Sequence, residues 1–168
     1  MTDNPTLETG HLWCDQSLVV FFDKSVTRER VIETLGEILY KAGFVRASYT
    51  KAVLEREEIF PTGLPTQPYG IAIPHTDSEH VEAGAIAIGI LQYPTPFREM
   101  GGAEDQWIDA HIVMALAIED PGSVSSILRS LAMAFQDPGF LSGLKGSSSA
   151  ETVIQLMNAR FPDMLGIP

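Results

Sequence analysis

Apolar positions recur in two rhythms along this chain, and the switches between them mark its elements. Leu18-Val19-Val20-Phe21-Phe22 is a short apolar run, read as a first strand. Val31, Ile32, Leu35, Ile38, Leu39 and Ala42 then recur at helical spacing, with Ser25 upstream as a capping residue and Gly43 as the stop. Ser48 opens a second helix to about Glu58, with Tyr49, Ala52 and Val53 turned inward. Gly70-Ile71-Ala72-Ile73 is a strand that Pro74 ends, because proline has no donor with which to continue a ladder. Ala83 to Leu91 alternates small and large apolar residues, as a buried central strand does, and Trp107 to Ile118 reads as another. Phe60 to Tyr69 and Tyr93 to Gly102, rich in proline and glycine, read as loops. Pro121-Gly122-Ser123 starts a helix with Val124, Ile127, Leu128, Leu131 and Phe135 in register, stopped by Asp137-Pro138-Gly139. A last helix follows the capping box Ser148-Ser149-Ala150-Glu151 and turns Val153, Ile154, Met157 and Phe161 inward. Residues 1–16 have no periodicity and read as a loose tail. Strands interleaved with helices predict an α/β fold, a mixed β-sheet flanked by helices on both faces.

Composition narrows the function classes. A chain of 168 residues suits one domain over 1–168, with its core between about 18 and 161. A net charge of -11 argues against nucleic acid, whose phosphates want a basic surface, and suits a basic protein partner. No apolar run approaches the ~20 residues that cross a bilayer, and the amino-terminal residues lack the pattern of a signal peptide. These features predict a cytoplasmic protein without direct membrane insertion. One cysteine, Cys14, excludes an internal disulfide and a cysteine-built zinc site. Gly101-Gly102 is not followed by Gly-Lys-Ser/Thr, so ATP is not implied.

The candidate chemistry gathers around His75, set directly after the strand-ending Pro74. Imidazole with a pKa near ~6.5 is largely neutral at neutral pH and able to attack as a nucleophile. On spacing alone, a hydrogen-bonded or surface histidine is the commoner outcome. Arg56 stands just before the loop that leads to His75, and its guanidinium suits a phosphoryl group; pairing with Glu57, Glu58 or another acid is the alternative. His75-x-Asp77-x-x-His80 invites a metal reading, but the pair is i, i+5 after a proline rather than i, i+4 on a helix. Hydroxyls of Thr76 and Ser78, with nearby backbone N–H groups, are donors for phosphate oxygens. His111 enters a buried strand, where on the bare sequence a core histidine bonded to a backbone carbonyl is the favoured reading.

On Gly70-Ile71-Ala72-Ile73-Pro74-His75 the chain resembles the active-site motif of the mannitol/fructose class of enzyme IIA, from the bacterial sugar phosphotransferase system (PTS). Phe60 to Val81 is most similar to the galactitol-type branch, and Thr76 stands where many members of the class have a small residue. The resemblance implies that His75 takes phosphate from the phosphocarrier protein HPr and passes it to an enzyme IIB, on a cysteine by family precedent. It implies Arg56 as the phosphoryl clamp and His111 as a stabiliser approaching His75 across the sheet. Thr62, Thr76, Asp77 and Ser78 complete the expected phosphate-binding set, with no cofactor and no metal. Two other readings stay open: a regulatory module acting through phosphorylation-dependent protein binding, and a metal hydrolase on His75, Asp77, His80 and His111.

Overall fold

A computed structural model describes residues 11–166. Seven strands form one mixed sheet: β1 (Leu12–Trp13), β2 (Val19–Phe22), β3 (Gly63–Leu64), β4 (Gly70–Ala72), β5 (Ala85–Arg98), β6 (Trp107–Ala117) and β7 (Leu165–Gly166). The order is β3-β4-β6-β5-β1-β7, and β2 joins β5 alongside β1. The hairpin β5–β6 is antiparallel, as is β3–β4, whereas β4 runs parallel to β6 and both β1 and β2 run parallel to β5. Helices α1 (Arg28–Lys41) and α2 (Tyr49–Ile59) cover one face; α3 (Val124–Ala134), α4 (Pro138–Gly146) and α5 (Ala150–Arg160) cover the other. The α/β expectation, helices on both faces of a mixed sheet, holds.

The two faces differ in the size of their side chains. Toward α3–α5 the sheet presents Ile71, Ile73, Ile86, Ile88, Ile112 and Met114, all buried. Toward α1 and α2 its central stretch presents Ala72, Ala85, Ala87, Ala115 and Ala117, with Val113, and only the far end of the β5–β6 hairpin adds the larger Leu91, Phe97 and Ile108. Strand alternation sends neighbours to opposite faces, so the Ala-Ile-Ala-Ile pattern of β5 produces both surfaces at once.

Several boundaries differ from the expectation for local reasons. The tail expected over 1–16 lies outside the described residues up to residue 10; beyond it, β1 pairs with β5 and β7. Helix α1 is capped by Thr27, whose hydroxyl accepts from the Arg30 N–H at 3.2 Å, rather than by Ser25, and Ala42 lies exposed past its end. Ser149, not Ser148, caps α5 by accepting from the Thr152 N–H. The segment Tyr93 to Gly102 is not all loop, because β5 continues to Arg98. Its prolines are accommodated where the β5–β6 register shifts between Ile90 and Thr95, and beyond Leu91, where the pairing with β2 has ended. The loop over Phe60–Tyr69 contains the two-residue β3. Asp137-Pro138-Gly139 ends one helix and starts another: the Asp137 carboxylate accepts from the Gly139 and Phe140 N–H groups, and Pro138 takes the first turn of α4, which the sequence reading left out.

Candidate functional site

His75 lies three residues beyond the end of β4, seated against β6. The Leu116 N–H donates to the Pro74 carbonyl at 3.0 Å, and His75 bridges to Leu116 in parallel. The Leu116 carbonyl in turn accepts from the buried Tyr49 hydroxyl at 2.7 Å, and burial holds that phenol protonated well above its ordinary range. One strand residue therefore seats the histidine and anchors the first turn of α2. The His75 Nδ1 stands 2.8 Å from the Ile73 carbonyl oxygen. A carbonyl only accepts, so Nδ1 carries the proton and Nε2 keeps its lone pair. Burial lowers the pKa of His75, the Arg56 charge lowers it further, and the Ile73 hydrogen bond and Asp77 oppose both. The ring is therefore neutral at pH 7.

A cleft of about 350 Å³ is lined by His75 together with Arg56, Phe60, Thr62, Met100, Gly101 and Leu128. It brings together the end of α2, the β5–β6 turn and α3. The Arg56 guanidinium lies 5.1 Å over the Phe60 ring and reaches Asp77 Oδ1 at 3.4 Å. Its ion-pair partner is Asp77, not Glu57 or Glu58, and Asp77 is exposed, so the pairing is weak. Among the described residues, Arg56 Nε is buried without a partner. A cation with unspent donors beside an imidazole lone pair suits a tetrahedral anion. Around the cleft, Ile59 is 70%, Phe60 59% and Met100 41% exposed, an apolar rim on an acidic molecule.

The remaining expected residues divide. Thr76 is buried directly after His75, Asp77 holds Arg56, and Ser78 opens the short turn that follows. Thr62 lines the cleft, but its donors are already engaged: its N–H and hydroxyl donate to the two carboxylate oxygens of Glu57, each at 2.9 Å. Thr62, expected in the phosphate-binding set, thus has neither donor free for a phosphate oxygen while it holds Glu57. His80 turns away to Ser48, with Nδ1 2.8 Å from the hydroxyl, which also leaves Ser48 without a side-chain cap on α2. Among the described residues no three of His, Cys, Asp or Glu gather as metal ligands, so the set His75, Asp77, His80 and His111 does not converge.

His111 is the main correction. Strands β4 and β6 are parallel, so the residue that follows β4 meets the carboxyl half of β6, not its head. Gly70 pairs with Ala110 and Ile71 with Ile112, which leaves His111 as the extra residue of a bulge. It stands five residues before Leu116, about 16 Å along the strand at ~3.3 Å per residue. Its ring meets Tyr69 edge-on, with ring centroids 5.0 Å apart, and Lys145 Nζ lies 5.9 Å from the same tyrosine ring. Burial, first, and the charge of Lys145 lower its pKa. His111→Ala is therefore expected to leave the rate of His75 phosphorylation within about twofold of the parent, measured by single-turnover labelling; a tenfold loss would return it to the site.

The sequence reading missed Glu57 and the Tyr49 anchor. Both were within reach of the helical period, since Tyr49, Val53 and Glu57 fall at i, i+4 and i+8 on one stripe of α2, and all three are buried.

Comparison with known proteins matches residues 14–160 to the family model described as "Phosphoenolpyruvate-dependent sugar phosphotransferase system, EIIA 2". The galactitol-specific EIIA component of Escherichia coli K12 is 29% identical over 106 residues, 63% of this chain and 69% of that protein. The mannitol-specific EIICBA component of the same strain is 31% identical over 139 residues, 82% of this chain and 21% of that longer protein. Among solved structures, the complex of enzyme IIAMTL with phosphorylated enzyme IIBMTL from E. coli superposes with a TM-score of 0.70 at 26% identity, covering 85% of this chain and 95% of that one.

Proposed function

Because the chain belongs to the EIIA 2 family of the sugar phosphotransferase system, the mannitol/fructose class with its galactitol branch, we propose that it carries a phosphoryl group on His75 between phospho-HPr and a cognate enzyme IIB, in the uptake of galactitol or a related sugar. The family's domains are phosphotransferases that work through a phosphohistidine, and this chain is one of them. The observation that carries the assignment to His75 is its hydrogen bond to the Ile73 carbonyl, which leaves Nε2 unprotonated at the cleft.

In this reading the Nε2 lone pair attacks phosphorus in line. The nitrogen–phosphorus bond of the donor phosphohistidine breaks as the new one forms, and the donor imidazole leaves with the bonding pair. No proton has to leave His75, because Nε2 carries none and Nδ1 keeps its own. The ring becomes cationic as it bonds, and the Ile73 carbonyl faces that developing charge. Arg56 offsets charge on the equatorial oxygens, and the backbone after His75, with Thr76 and Ser78, supplies further donors. The apolar rim excludes water while a partner is docked, and the acidic surface steers a basic donor toward it. Onward transfer moves phosphorus to a cysteine thiolate of enzyme IIB, as the family resemblance implies. No helix of the described residues is long and apolar enough to cross a membrane.

Labelling with phospho-HPr and mapping of the modified peptide test the proposal. The expected product is phosphate on Nε2 of His75, discharged by a galactitol-type enzyme IIB. Label on any other residue, or no label, would overturn it.

A further inference from the structure

We propose that Glu57 is a positioning residue of this site, fixing the His75 ring through an unbroken chain of hydrogen bonds. The proposal rests on the assignment of His75 as the phosphorylated residue. Glu57 faces inward from the last turn of α2 and is only 5% exposed. Its two oxygens accept the N–H and the hydroxyl of Thr62, each at 2.9 Å. The Thr62 carbonyl accepts from the Ile73 N–H at 3.4 Å, and the Ile73 carbonyl accepts from His75 Nδ1 at 2.8 Å. The carboxylate thus holds Thr62, Thr62 holds the end of the β4 segment, and that segment holds the proton on the correct ring nitrogen.

The same clamp sets the second half of the cleft. It closes the turn Ile59–Pro61 between α2 and β3, and this turn carries Phe60, whose ring lies under the Arg56 guanidinium. A buried acid could have served merely as an ion-pair partner. Here both oxygens are spent on Thr62, whereas the nearby cations have other partners. Arg28 of α1 bonds Glu58 and Glu29, and Arg98 of β5 donates to the Glu58 carbonyl. Burial pushes the Glu57 carboxyl up to about 7, opposed by the Thr62 bonds and by the charges of Arg28 and Arg98. The clamp does not depend on which protonation state is populated. In either state one oxygen accepts the Thr62 N–H; a proton on the other is donated to the Thr62 hydroxyl oxygen, and that bond reverses without opening the clamp.

Three variants separate clamp from charge. Glu57→Gln presents the same pattern as the protonated acid and is expected to be phosphorylated within about twofold of the parent rate. Glu57→Ala removes the clamp and should slow the phosphorylation step by about tenfold or more, as losses of supporting hydrogen bonds around a reactive group do, with the apparent affinity for phospho-HPr little changed. Nitrogen NMR of the unphosphorylated protein reads the ring directly: one Nδ1–H tautomer in the parent and Glu57→Gln, a mixture in Glu57→Ala. If Glu57→Ala does not fold, Glu57→Asp, one methylene too short to hold both donors, is expected to show the same mixture. A single Nδ1–H tautomer in Glu57→Ala or Glu57→Asp with an unchanged rate would overturn the proposal, as would a Glu57→Gln as slow as Glu57→Ala. The tautomer measurement needs no donor, so a failure of phospho-HPr to label His75 would count against the assigned function and not against the clamp.

Discussion

Replacing His75 with alanine is expected to abolish labelling by phospho-HPr while leaving a folded protein. The chemical loss is complete because, among the described residues, the cleft offers no second nucleophilic nitrogen: a guanidinium presents only N–H donors, and His80 and His111 point elsewhere. The structural loss is small by comparison. His75 contributes one side-chain hydrogen bond, to Ile73, and the bridge to β6 is made by backbone that alanine retains. One such bond is worth about 1 kcal/mol, and the emptied ring volume adds a similar cavity cost, against a domain stability of about 5–15 kcal/mol. Circular dichroism and thermal unfolding check the fold, and radiolabel incorporation checks the chemistry. Labelling of the variant at the parent rate would show that another residue receives the phosphate.

The second large effect is expected at Arg56. Arg56→Lys keeps the charge but loses the planar fork that can hold two phosphoryl oxygens together, and the shorter reach of one ammonium group leaves part of the transition-state charge uncovered. Loss of one such donor in comparable sites costs ~10²–10³ in rate. Stability should hardly move, because the ion pair with exposed Asp77 is worth about 0–1 kcal/mol and the stacking on Phe60 is partly retained by the lysine stem. Rapid-quench transfer rates, compared with the midpoint of denaturant unfolding, separate the two roles. A variant that loses stability in proportion to rate would make Arg56 a structural residue of the α2 terminus.

What the sequence made legible follows from how local each signal is. Gly70 to His75 could be read at once, because a strand stopped by proline is decided by neighbours in the chain. The helical stripes of α1, α3 and α5 were legible for the same reason, although the cap of α1 moved two residues, from Ser25 to Thr27, and that of α5 one, from Ser148 to Ser149. Asp137-Pro138-Gly139 was ambiguous in principle, since aspartate then proline marks a helix start and proline then glycine a helix end. Pro94 and Pro96 suggested a loop because their tolerance in β5 depends on where β2 stops pairing, a tertiary fact. The placement of His111 turned on strand direction: had β4 and β6 been antiparallel, the head of β6 would have faced His75. No periodicity in either strand encodes that choice. The bond between Thr62 and Glu57 was not legible because Glu57 sits in a run of charged residues that usually faces solvent, and only the stripe through Tyr49 and Val53 reveals that it turns inward.

The unequal faces of the sheet also bear on how this chain can change over generations. Where alanines of β5 and β6 meet α1 and α2, a larger side chain must push a helix away, and overpacking costs about 1–3 kcal/mol. Where isoleucines meet α3–α5, the hazard is reversed, since truncation leaves a void and costs about 2–5 kcal/mol. Drift is thus filtered by size in opposite directions on the two sides of one strand. Helix α2 carries Arg56 and Glu57 on the side that cannot expand, so enlarging those alanines is expected to disturb the cleft as well as the core. The opposite layer, filled by larger aliphatic side chains, can exchange residues of similar volume at a cost usually below about 1.5 kcal/mol.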